Sequence, residues 1–425
     1  MNLSRRTFLR IAGVGALSLA LPELALRRLV ADDAKPLSQT PPGPSLVVVF
    51  LRGGADALNI LVPWADKRYY DLRPSIAILP EKTQDAAGVI KLDKTFGLHP
   101  SLAALKPHFD ASRLAPICCV GSPHSTRSHF DAQDFMERGA PGARAVNTGW
   151  LNRYLNATNK NTKSSDEQLR AVAMQSLLPR ALRGDFPVLA VPDERVLNDG
   201  QLMGLFDKIY NDGKKNEPAK EGMGEEKREN SVEDTGKDTV ETLKRYKEIL
   251  KRPIDGNRAR FPEDALGKRL KDVATVIRAG VGLEVASFDI NGWDDHVNEG
   301  DQLSTRLKSL GDGLAAFVDD LGEKASNTLV VVMTEFGRTC RENGNEGTDH
   351  GHGGCMLLMG GKLKGGKVHG QWTGLEEKDL YEKRDLAVTT DYRDVFAEVL
   401  RGHLKFDSPK DFFPEYSPKP VAGLF

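Results

Sequence analysis

Two uninterrupted apolar runs, each followed by a polar loop, constrain the fold of this chain most strongly. They cover residues 45–51 and 329–333 and contain no regular alternation of polar positions. Each therefore predicts a strand buried on both faces, as the central strands of parallel sheets are. A third strand is predicted over 114–120, and helices are predicted over 262–279 and 301–321. This alternation predicts an α/β fold in which a large, mostly parallel sheet is sandwiched between helices.

The loop after the run at 329–333 contains the strongest candidate site. Glu335 stands close to the end of the run, and Asp349, His350 and His352 follow in a glycine-rich stretch. Parallel sheets bind ligands at the carboxyl ends of their strands. A mixture of carboxylate and imidazole groups suits Zn, Mn, Fe or a similar divalent ion. The alternative interpretation is a solvated surface loop that binds nothing.

Two further strand ends carry possible ligands. Asp294 and His296 follow an apolar run at 281–288, and in extended chain their side chains point to the same side. Asp56 follows the run at 45–51 after two glycines, and its alternative role is that of a helix N-cap. An isolated Asp-x-His would be a turn or capping feature. Together with the later loop, these residues predict a metal site.

Several hydroxyl groups precede a helix predicted over 130–138. Ser125, Thr126 and Ser128 stand just before it. A helix N-terminus offers N–H donors and the positive end of the helix dipole, so each hydroxyl is a candidate nucleophile. Helix capping is the alternative role for each of them. Arg127 lies among them and is predicted to hold an anion by bidentate contacts.

The N-terminal segment predicts export through the twin-arginine route. Residues 4–10 read Ser-Arg-Arg-Thr-Phe-Leu-Arg, and an apolar stretch over 11–21 follows that is too short to span a bilayer. We expect a signal peptide over 1–31, a linker over 32–44 and one domain over 45–425. The expected destination is the periplasm or the extracellular space of a bacterium.

Composition narrows the partners and the chemistry. The chain has a formal net charge of −1, so it has no charge excess for nucleic acid or an anionic membrane surface. Its four cysteines are too few for a disulfide framework in a chain of this size. The polar stretch near 211–237 predicts a solvated insertion into the domain.

A series of motifs occurs in an order that resembles a known family. In chain order they are the twin-arginine leader, Arg52-Gly53-Gly54-x-Asp56-x-Leu58-Asn59, Ser128-His129-Phe130-Asp131-Ala132-Gln133, Asn147-Thr148-Gly149-Trp150-Leu151-Asn152-Arg153, Gly292-Trp293-Asp294-x-His296, Thr334-Glu335-Phe336-Gly337-Arg338-Thr339 and Gly347-Thr348-Asp349-His350-Gly351-His352-Gly353. The chain resembles the exported bacterial family called domain of unknown function 1501. That family is similar to the alkaline phosphatase-like superfamily, which includes sulfatases and phosphodiesterases.

The resemblance implies a one- or two-metal site at the carboxyl edge of an alkaline phosphatase-like sheet. The implied metal ligands are Asp56, Asp294, His296, Asp349, His350 and His352. Ser128 is the best-placed nucleophile, with Arg127 beside it to steady the anion. Glu335 and His129 are implied either as further ligands or as residues that support the ligands.

Two departures from the superfamily pattern affect the predicted chemistry. An Asp-His pair usually follows the strand that here ends in Glu335-Phe336, whereas the pair Asp349-His350 comes only after a loop. The sulfatase signature Cys-x-Pro-x-Arg is missing, because Cys119 is followed by Val-Gly. A nucleophile made by modification of cysteine is therefore not predicted.

The function that these features predict is an exported, metal-dependent hydrolase of phosphate or sulfate esters. The expected cofactor is a divalent ion, with Zn, Mn, Ca and Mg left open. The expected substrate is a small-molecule or polysaccharide ester, with no nucleic acid partner and no transmembrane span in the mature chain. The alternative is a non-catalytic exported binding protein that retains the fold. The completeness of the implied ligand set favours the enzyme.

Overall fold

The structure is a computed structural model, and it describes residues 43–82, 87–159, 169–192, 200, 232–251 and 259–425. The predicted signal peptide at 1–31 lies outside the described residues, as does the linker at 32–44 except for its last two residues. Most of the predicted insertion at 211–237 also lies outside them.

The chain divides into two compact units. The larger unit comprises Pro44–Val146, Asp255–Ala274 and Asp289–Phe425. Among the described parts of the chain, the smaller unit draws on Asn147–Ile254 and Thr275–Phe288. All the candidate site residues belong to the larger unit.

Eleven strands and nine α-helices are identified in the described residues. The strands are β1 (Ser45–Arg52), β2 (Leu61–Val62), β3 (Ile90–Lys91), β4 (Gly97–Leu98), β5 (Leu114–Gly121), β6 (Ala171–Ala173), β7 (Leu189–Ala190), β8 (Val285–Asn291), β9 (Thr328–Thr334), β10 (Gly354–Gly360) and β11 (Thr390–Asp391). The helices are α1 (Ala57–Ile60), α2 (Lys67–Leu72), α3 (Lys106–Asp110), α4 (His129–Arg138), α5 (Trp150–Ala157), α6 (Val232–Lys251), α7 (Ala265–Ala279), α8 (Glu299–Leu321) and α9 (Tyr392–Glu398).

In the larger unit, the main sheet has the strand order β11-β5-β10-β9-β1. Strands β1 and β9 are parallel, with Ser45 opposite Thr328 and Leu51 opposite Thr334. Both strands are apolar and buried along nearly their whole length, which agrees with the central position that their sequences predict. Helix α8 presents a buried stripe at helical spacing that includes Leu303, Leu307, Leu310 and Leu314.

Strand β10 is the exception to the parallel arrangement, because it is antiparallel to both β9 and β5. No crossover helix lies between β9 and β10, and a parallel neighbour would need such a crossover. The chain therefore returns directly after the loop that contains His350. Since β5 and β9 are both antiparallel to β10, they run in the same direction as each other.

The remaining strands form smaller arrays. In the smaller unit, β6 pairs in parallel with both β7 and β8. In the larger unit, β2, β4 and β3 form a separate antiparallel sheet. Apart from the small β2-β4-β3 sheet, four of the six strand pairs named above are parallel, namely β1–β9, β5–β11, β6–β7 and β6–β8. The predicted α/β fold with a mostly parallel sheet is therefore confirmed.

The loops that carry candidate site residues meet at the carboxyl ends of β1, β5 and β9. Gly53, just after β1, has φ +128°, and a Cβ there would lie only 2.6 Å from the backbone nitrogen of Asp294. The backbone N–H of Trp293 donates to the carbonyl of Arg52 at 3.2 Å. Glycine at position 53 therefore lets the segment that carries Asp294 approach the end of β1.

Across the described helices, none combines the length and the apolar composition needed to cross a membrane.

Candidate metal centre

Three chain segments bring imidazole and carboxylate groups together in the larger unit. His129 is the first residue of α4, in the connection that follows β5. Asp294 and His296 lie between β8 and α8, and His350 lies between β9 and β10. Because β5 and β9 run in the same direction as β1, the loops after them share one edge of the sheet, and the segment that carries Asp294 contacts the end of β1 at that edge.

The ligand atoms of His129, Asp294 and His350 lie within 4.8 Å of one another. The Nε2 atoms of His129 and His350 are 3.0 Å apart. His350 Nε2 is 3.1 Å from Asp294 Oδ1, and His129 Nε2 is 3.4 Å from Asp294 Oδ2. His296 extends the group, because its Nε2 lies 3.0 Å from Asp294 Oδ1 and 3.1 Å from His350 Nε2. We call these four side chains the histidine cluster.

The opposite nitrogen of each imidazole contacts an oxygen that can only accept a hydrogen bond. His129 Nδ1 is 2.7 Å from the Glu335 carboxylate, and His296 Nδ1 is 3.1 Å from the Asp349 carboxylate. His350 Nδ1 is 2.9 Å from the backbone carbonyl oxygen of Arg127. Each Nδ1–H therefore donates, which leaves the Nε2 lone pair of each neutral ring directed into the cluster.

With these tautomers, hydrogen-bond acceptors of the histidine cluster face one another. Three Nε2 lone pairs and a carboxylate face one another, and a single proton can bridge only one of the close contacts. A cation between them satisfies all of them at once. In a tetrahedral zinc site with bonds near 2.0–2.1 Å, ligand atoms lie about 3.3 Å apart, which is close to the spacing found here. The donor set therefore fits a divalent ion such as zinc.

Glu335 fixes the orientation of His129. Its side chain is fully buried, and Oε1 accepts hydrogen bonds from the backbone N–H of Gly53 at 2.9 Å and from Gln133 Nε2 at 2.7 Å. Burial alone would raise the pKa of Glu335, but its hydrogen bonds to His129, Gln133 and Gly53 lower it. The hydrogen bond to Glu335 raises the pKa of His129. A carboxylate behind an imidazole in this way holds the ring and makes it a stronger ligand.

Arg338 holds Asp294 in place. Its side chain is inaccessible to solvent, its Nε donates to the carbonyl of Gly54 at 2.6 Å, and its Nη1 donates to the carbonyl of Thr348 at 3.0 Å. Its Nη2 donates to Asp294 Oδ1. Burial would raise the pKa of Asp294, but Arg338, through its hydrogen bond and its charge, lowers it to about 2. Asp294 is therefore an anion at neutral pH.

Asp56 lies in a different environment from the one that the sequence predicts. Both of its carboxylate oxygens accept hydrogen bonds from Arg73, and both side chains are almost completely buried. Burial would raise the pKa of Asp56, but the charge and hydrogen bonds of Arg73 lower it. Arg73 thus already pairs with the carboxylate for which the sequence predicts a ligand role, and that role stays a prediction. The Asp56 side chain does not make the alternative N-cap hydrogen bond.

His352 and Arg127 also have partners other than the expected ones. The His352 ring is buried and stacks on Tyr381, with ring centroids 4.1 Å apart. Burial lowers the pKa of His352 to about 4. The Arg127 guanidinium binds Asp385 at 2.6 Å and Glu382 at 2.6 Å. It is thus engaged by two carboxylates, which leaves it poorly suited to the predicted role of anion binding.

Asp349 lies at the periphery of the histidine cluster. Its side chain is 57% exposed, and its closest contact to the cluster is the one with His296 Nδ1. The structure therefore brings together four of the predicted residues, namely Asp294, His296, His350 and His129, and places Asp349 and Glu335 directly behind them.

The candidate nucleophile Ser128 immediately precedes His129 and is exposed. It occupies the N-cap position of α4 without a capping hydrogen bond from its side chain. The Thr126 hydroxyl instead accepts a hydrogen bond from the Ser128 backbone N–H at 3.2 Å. The capping alternative therefore does not account for the Ser128 hydroxyl.

Sequence reasoning missed the buried arginines, Arg338 and Arg73. Arg338 lies within a candidate loop, three residues after Glu335, and a cation so close to the predicted ligands was an available signal. Arg73 carries no such signal, since it ends an ordinary polar helix, α2. The central place of His129 was also underestimated.

Comparisons with known proteins bear on the fold and on the family. Solved structures that match include Ps i-CgsB (12% identity, 88% of this chain and 75% of that chain, TM-score 0.40) and a 2-O glycosaminoglycan sulfatase (11%, 90% and 73%, TM-score 0.34). A third is the alkaline phosphatase of the Antarctic bacterium TAB5 (11% identity, 75% of this chain and 92% of that chain, TM-score 0.29). These likenesses are too distant to indicate an activity. No curated protein matches the sequence at a significant level.

The family model described as "Protein of unknown function (DUF1501)" matches residues 44–411. That range includes every residue of the histidine cluster and most of the chain. The chain belongs to the DUF1501 family.

Proposed function

We propose that the protein is an exported, metal-dependent hydrolase of phosphate or sulfate esters. One observation carries the proposal: three imidazole Nε2 atoms and the Asp294 carboxylate converge, while the Nδ1 atom of each imidazole faces a hydrogen-bond acceptor. Such a set is costly to hold together unless a cation occupies it. The proposed ligands are His129, Asp294 and His350, with His296 as a fourth.

The side chains behind the cluster prepare it for an ion. Glu335 and the Arg127 carbonyl hold two of the imidazoles in the tautomer that binds metals. Arg338 keeps Asp294 ionised and fixes one of its oxygens. Together these residues would hold a divalent ion, which would supply Lewis-acid polarisation of an ester oxygen and stabilisation of the negative charge that develops on it. Hydrolysis of phosphate and sulfate esters, in which negative charge develops on the ester oxygens, would gain from that stabilisation.

Ser128 is the proposed nucleophile. Its exposed hydroxyl stands next to His129 in the chain and at the N-terminus of α4, where backbone N–H groups favour an anion. In the proposed reaction the Ser128 oxygen bonds to the phosphorus or sulfur atom and loses its proton to solvent. The bond to the alcohol oxygen breaks, the alcohol leaves with a proton from solvent, and water then releases the phosphate or sulfate from Ser128.

Export is proposed from the leader sequence. The twin arginines Arg5 and Arg6, followed by a short apolar stretch, support a periplasmic or extracellular location for the mature chain. The double substitution Arg5→Lys and Arg6→Lys should retain the protein in the cytoplasm of the producing cell. Export of that variant at the normal level would contradict the proposed route.

The function is tested by elemental analysis and by a substrate panel. We expect the purified protein to contain a divalent metal and to hydrolyse a phosphate or a sulfate monoester. Asp294→Asn and His350→Ala should lower the metal content, whereas Asp110→Asn, at an exposed position that pairs with Lys106, should not. Ser128→Ala should keep the metal and the fold but lose turnover.

Two outcomes would overturn the proposal. Wild-type protein that takes up no metal on exposure to Zn, Mn, Ca or Mg would exclude the metal centre. Protein that binds metal but hydrolyses neither ester class would favour the alternative, a non-catalytic binding protein. Full activity of the Ser128→Ala variant would mean that the nucleophile is Thr126, Ser125 or water.

A further inference from the structure

A cavity of about 350 Å³ opens beside the histidine cluster. Asp349 lines this cavity and also contacts His296 Nδ1 at 3.1 Å. Asn343 lines it as well, and its side-chain amide donates to the carbonyl of His296 at 2.9 Å. The cavity therefore adjoins the proposed metal centre, and its volume falls in the range that small organic ligands occupy. We call it the side pocket.

The rim of the side pocket is rich in cations. Its charged lining consists of Arg68, Arg341, Lys383, Arg384, Glu342, Asp349 and Glu377. Four cations thus stand against three carboxylates. Two of the cations are already paired, Lys383 with Glu377 and Arg68 with Asp71 and Glu376, and two of the carboxylates are engaged as well. Glu342 accepts hydrogen bonds from the backbone N–H groups of Ser75 and Ile76, and Glu377 pairs with Lys383 at 3.2 Å.

Two arginines retain free donors. Arg341 is exposed, and in the described part of the chain its guanidinium takes part in no side-chain hydrogen bond or ion pair. Arg384 is 43% exposed, its Nε lies 3.6 Å from Asp385 Oδ1, and its Nη2 donates to the carbonyl of His350 at 2.9 Å, so Nη1 remains available. A guanidinium with unused N–H groups binds a carboxylate, sulfate or phosphate in bidentate fashion. The backbone contact of Arg384 also ties this binding surface to the loop that holds His350.

The pocket is not purely polar. Leu72, Leu375 and Leu380 contribute to its lining, and the first two are almost completely buried. Apolar side chains behind a cationic rim suit a ligand with a ring-sized body and an anionic substituent. A bare inorganic anion would leave the apolar part of the pocket unused.

We propose that the side pocket binds a second anionic group of the ester substrate. This inference rests on the proposed function and narrows it: the ester that reacts at the histidine cluster belongs to a ring-bearing molecule, such as an acidic sugar, that carries another carboxylate or sulfate. Arg341 is the main contact for that second anion, and Arg384 assists it.

The test compares two disaccharides that share one sulfate ester, of which only one carries an additional carboxylate. Their binding to Ser128→Ala protein is measured by isothermal titration calorimetry, so that turnover does not interfere. We expect the doubly charged disaccharide to bind at least about tenfold more tightly, as one additional charge-assisted contact allows. Adding Arg341→Gln should remove most of that preference.

The control is Arg113→Gln, because Arg113 is also exposed but lies just before β5, at the opposite end of that strand from the site. It should leave the preference unchanged. Equal binding of the two disaccharides would overturn the inference, as would a preference that survives the combined Arg341→Gln and Arg384→Gln substitutions. Binding is measured without turnover, so the two proposals can fail separately. If the wild type hydrolyses neither ester class but the doubly charged disaccharide still binds more tightly, the proposed hydrolase activity is wrong and the proposed role of the side pocket is supported.

Discussion

At the scale of single residues, the ion pair between Asp56 and Arg73 is closed to solvent and embedded in a polar network. Arg73 also donates to the carbonyls of Cys340 and Thr339, both at 2.9 Å. Glu299 lies beside the pair, and burial together with the charge of Asp56 raises the pKa of Glu299 well above its usual value. The network thus sets two carboxyl groups against one cation, and the raised pKa of Glu299 favours its neutral form, which lowers the buried charge.

Asp56→Asn should therefore destabilise the protein without emptying the metal centre. Removing one partner of a buried pair costs about 3–5 kcal/mol, because the other charge is left without compensation. The free energy of unfolding is measured by urea titration, and metal content by elemental analysis. The double variant Asp56→Asn with Arg73→Gln should lose less than the sum of the two single losses. If the Asp56→Asn variant instead lost metal at unchanged stability, Asp56 would be a metal ligand.

Glu335→Gln tests the support of His129 without changing the shape of the side chain. The amide oxygen can still accept from His129 Nδ1, but it carries no charge to strengthen the imidazole as a ligand. We expect metal affinity to fall about 10–100-fold, as is typical when the partner behind a ligating histidine is changed. Affinity is measured by competition with a chelator of known strength, and circular dichroism checks the fold. Unchanged affinity would mean that His129 does not bind the metal.

At the scale of elements, the β9–β10 connection is held by backbone contacts that only glycine permits. The N–H of Gly337 donates to the carbonyl of His352 at 3.0 Å, and the N–H of Gly351 donates to the carbonyl of Gly337 at 2.9 Å. A Cβ at Gly337 would lie 1.8 Å from the carbonyl oxygen of Gly353. The two sides of the loop are thus pressed together, and this contact positions His350.

Gly337→Ala should force the two sides of the loop apart. We expect a loss of about 1–3 kcal/mol of stability, as for other overpacked sites, together with weaker metal binding because His350 moves. Gly344→Ala in the same connection is the matched control, since a Cβ there meets nothing within 4 Å and φ is not positive. Thermal unfolding and metal affinity of the two variants give the comparison. Equal behaviour of both would show that the loop is not under this steric constraint.

The elements that the sequence predicted well are those whose pattern is local. Strands β1 and β9 are continuous apolar runs, and the helices at 265–279 and 299–321 follow the expected segments closely. The antiparallel course of β10 was not predicted, because Gly354–Gly360 is as apolar as a parallel strand and its direction depends on the connection before it. The direction of a strand depends on the connections before and after it, and the residues of the strand itself do not indicate it.

The same distinction applies to the candidate site. Asp294, His296 and His350 could be found because they follow strand ends at the carboxyl edge of the sheet. The environments of Asp56 and His352 could not be found, because they depend on partners elsewhere in the chain, Arg73 and Tyr381. A sequence pattern identifies groups that can bind a cation. The role of each group depends on which side chain contacts it in the folded protein.

At the scale of the whole molecule, buried histidines should make the fold sensitive to acid. His99 and His403 are buried, and burial lowers the pKa of each to about 4. His403 Nε2 donates to the carbonyl of Ser45 at 2.8 Å, at the start of β1, and His99 Nδ1 accepts from the backbone N–H of Ser101. The unfolded chain, with an ordinary histidine pKa near 6.5, binds these protons first.

Stability should therefore fall as the pH is lowered from about 6.5 towards 4. Each histidine contributes up to about 3 kcal/mol to that loss, since the folded-state pKa is the lower one. His403→Gln keeps an N–H donor for Ser45 but cannot be protonated, so it should have a shallower pH dependence than the wild type. Urea titrations of metal-free protein at pH 7 and 4.5 make the comparison. Identical slopes for both proteins would contradict this role of His403.

The residues of the histidine cluster lie far apart along the chain, on the three connections after β5, β8 and β9, and they meet only once the sheet has assembled. An ion held by them acts late in folding, because the chain must close long loops before the ligands come together. The ion should consequently slow unfolding much more than it speeds refolding. In stopped-flow experiments, a chelator should increase the rate of unfolding and leave the rate of refolding nearly unchanged. For a protein of this kind, the metal would determine how long the native state lasts, and the sheet would determine how quickly it is reached.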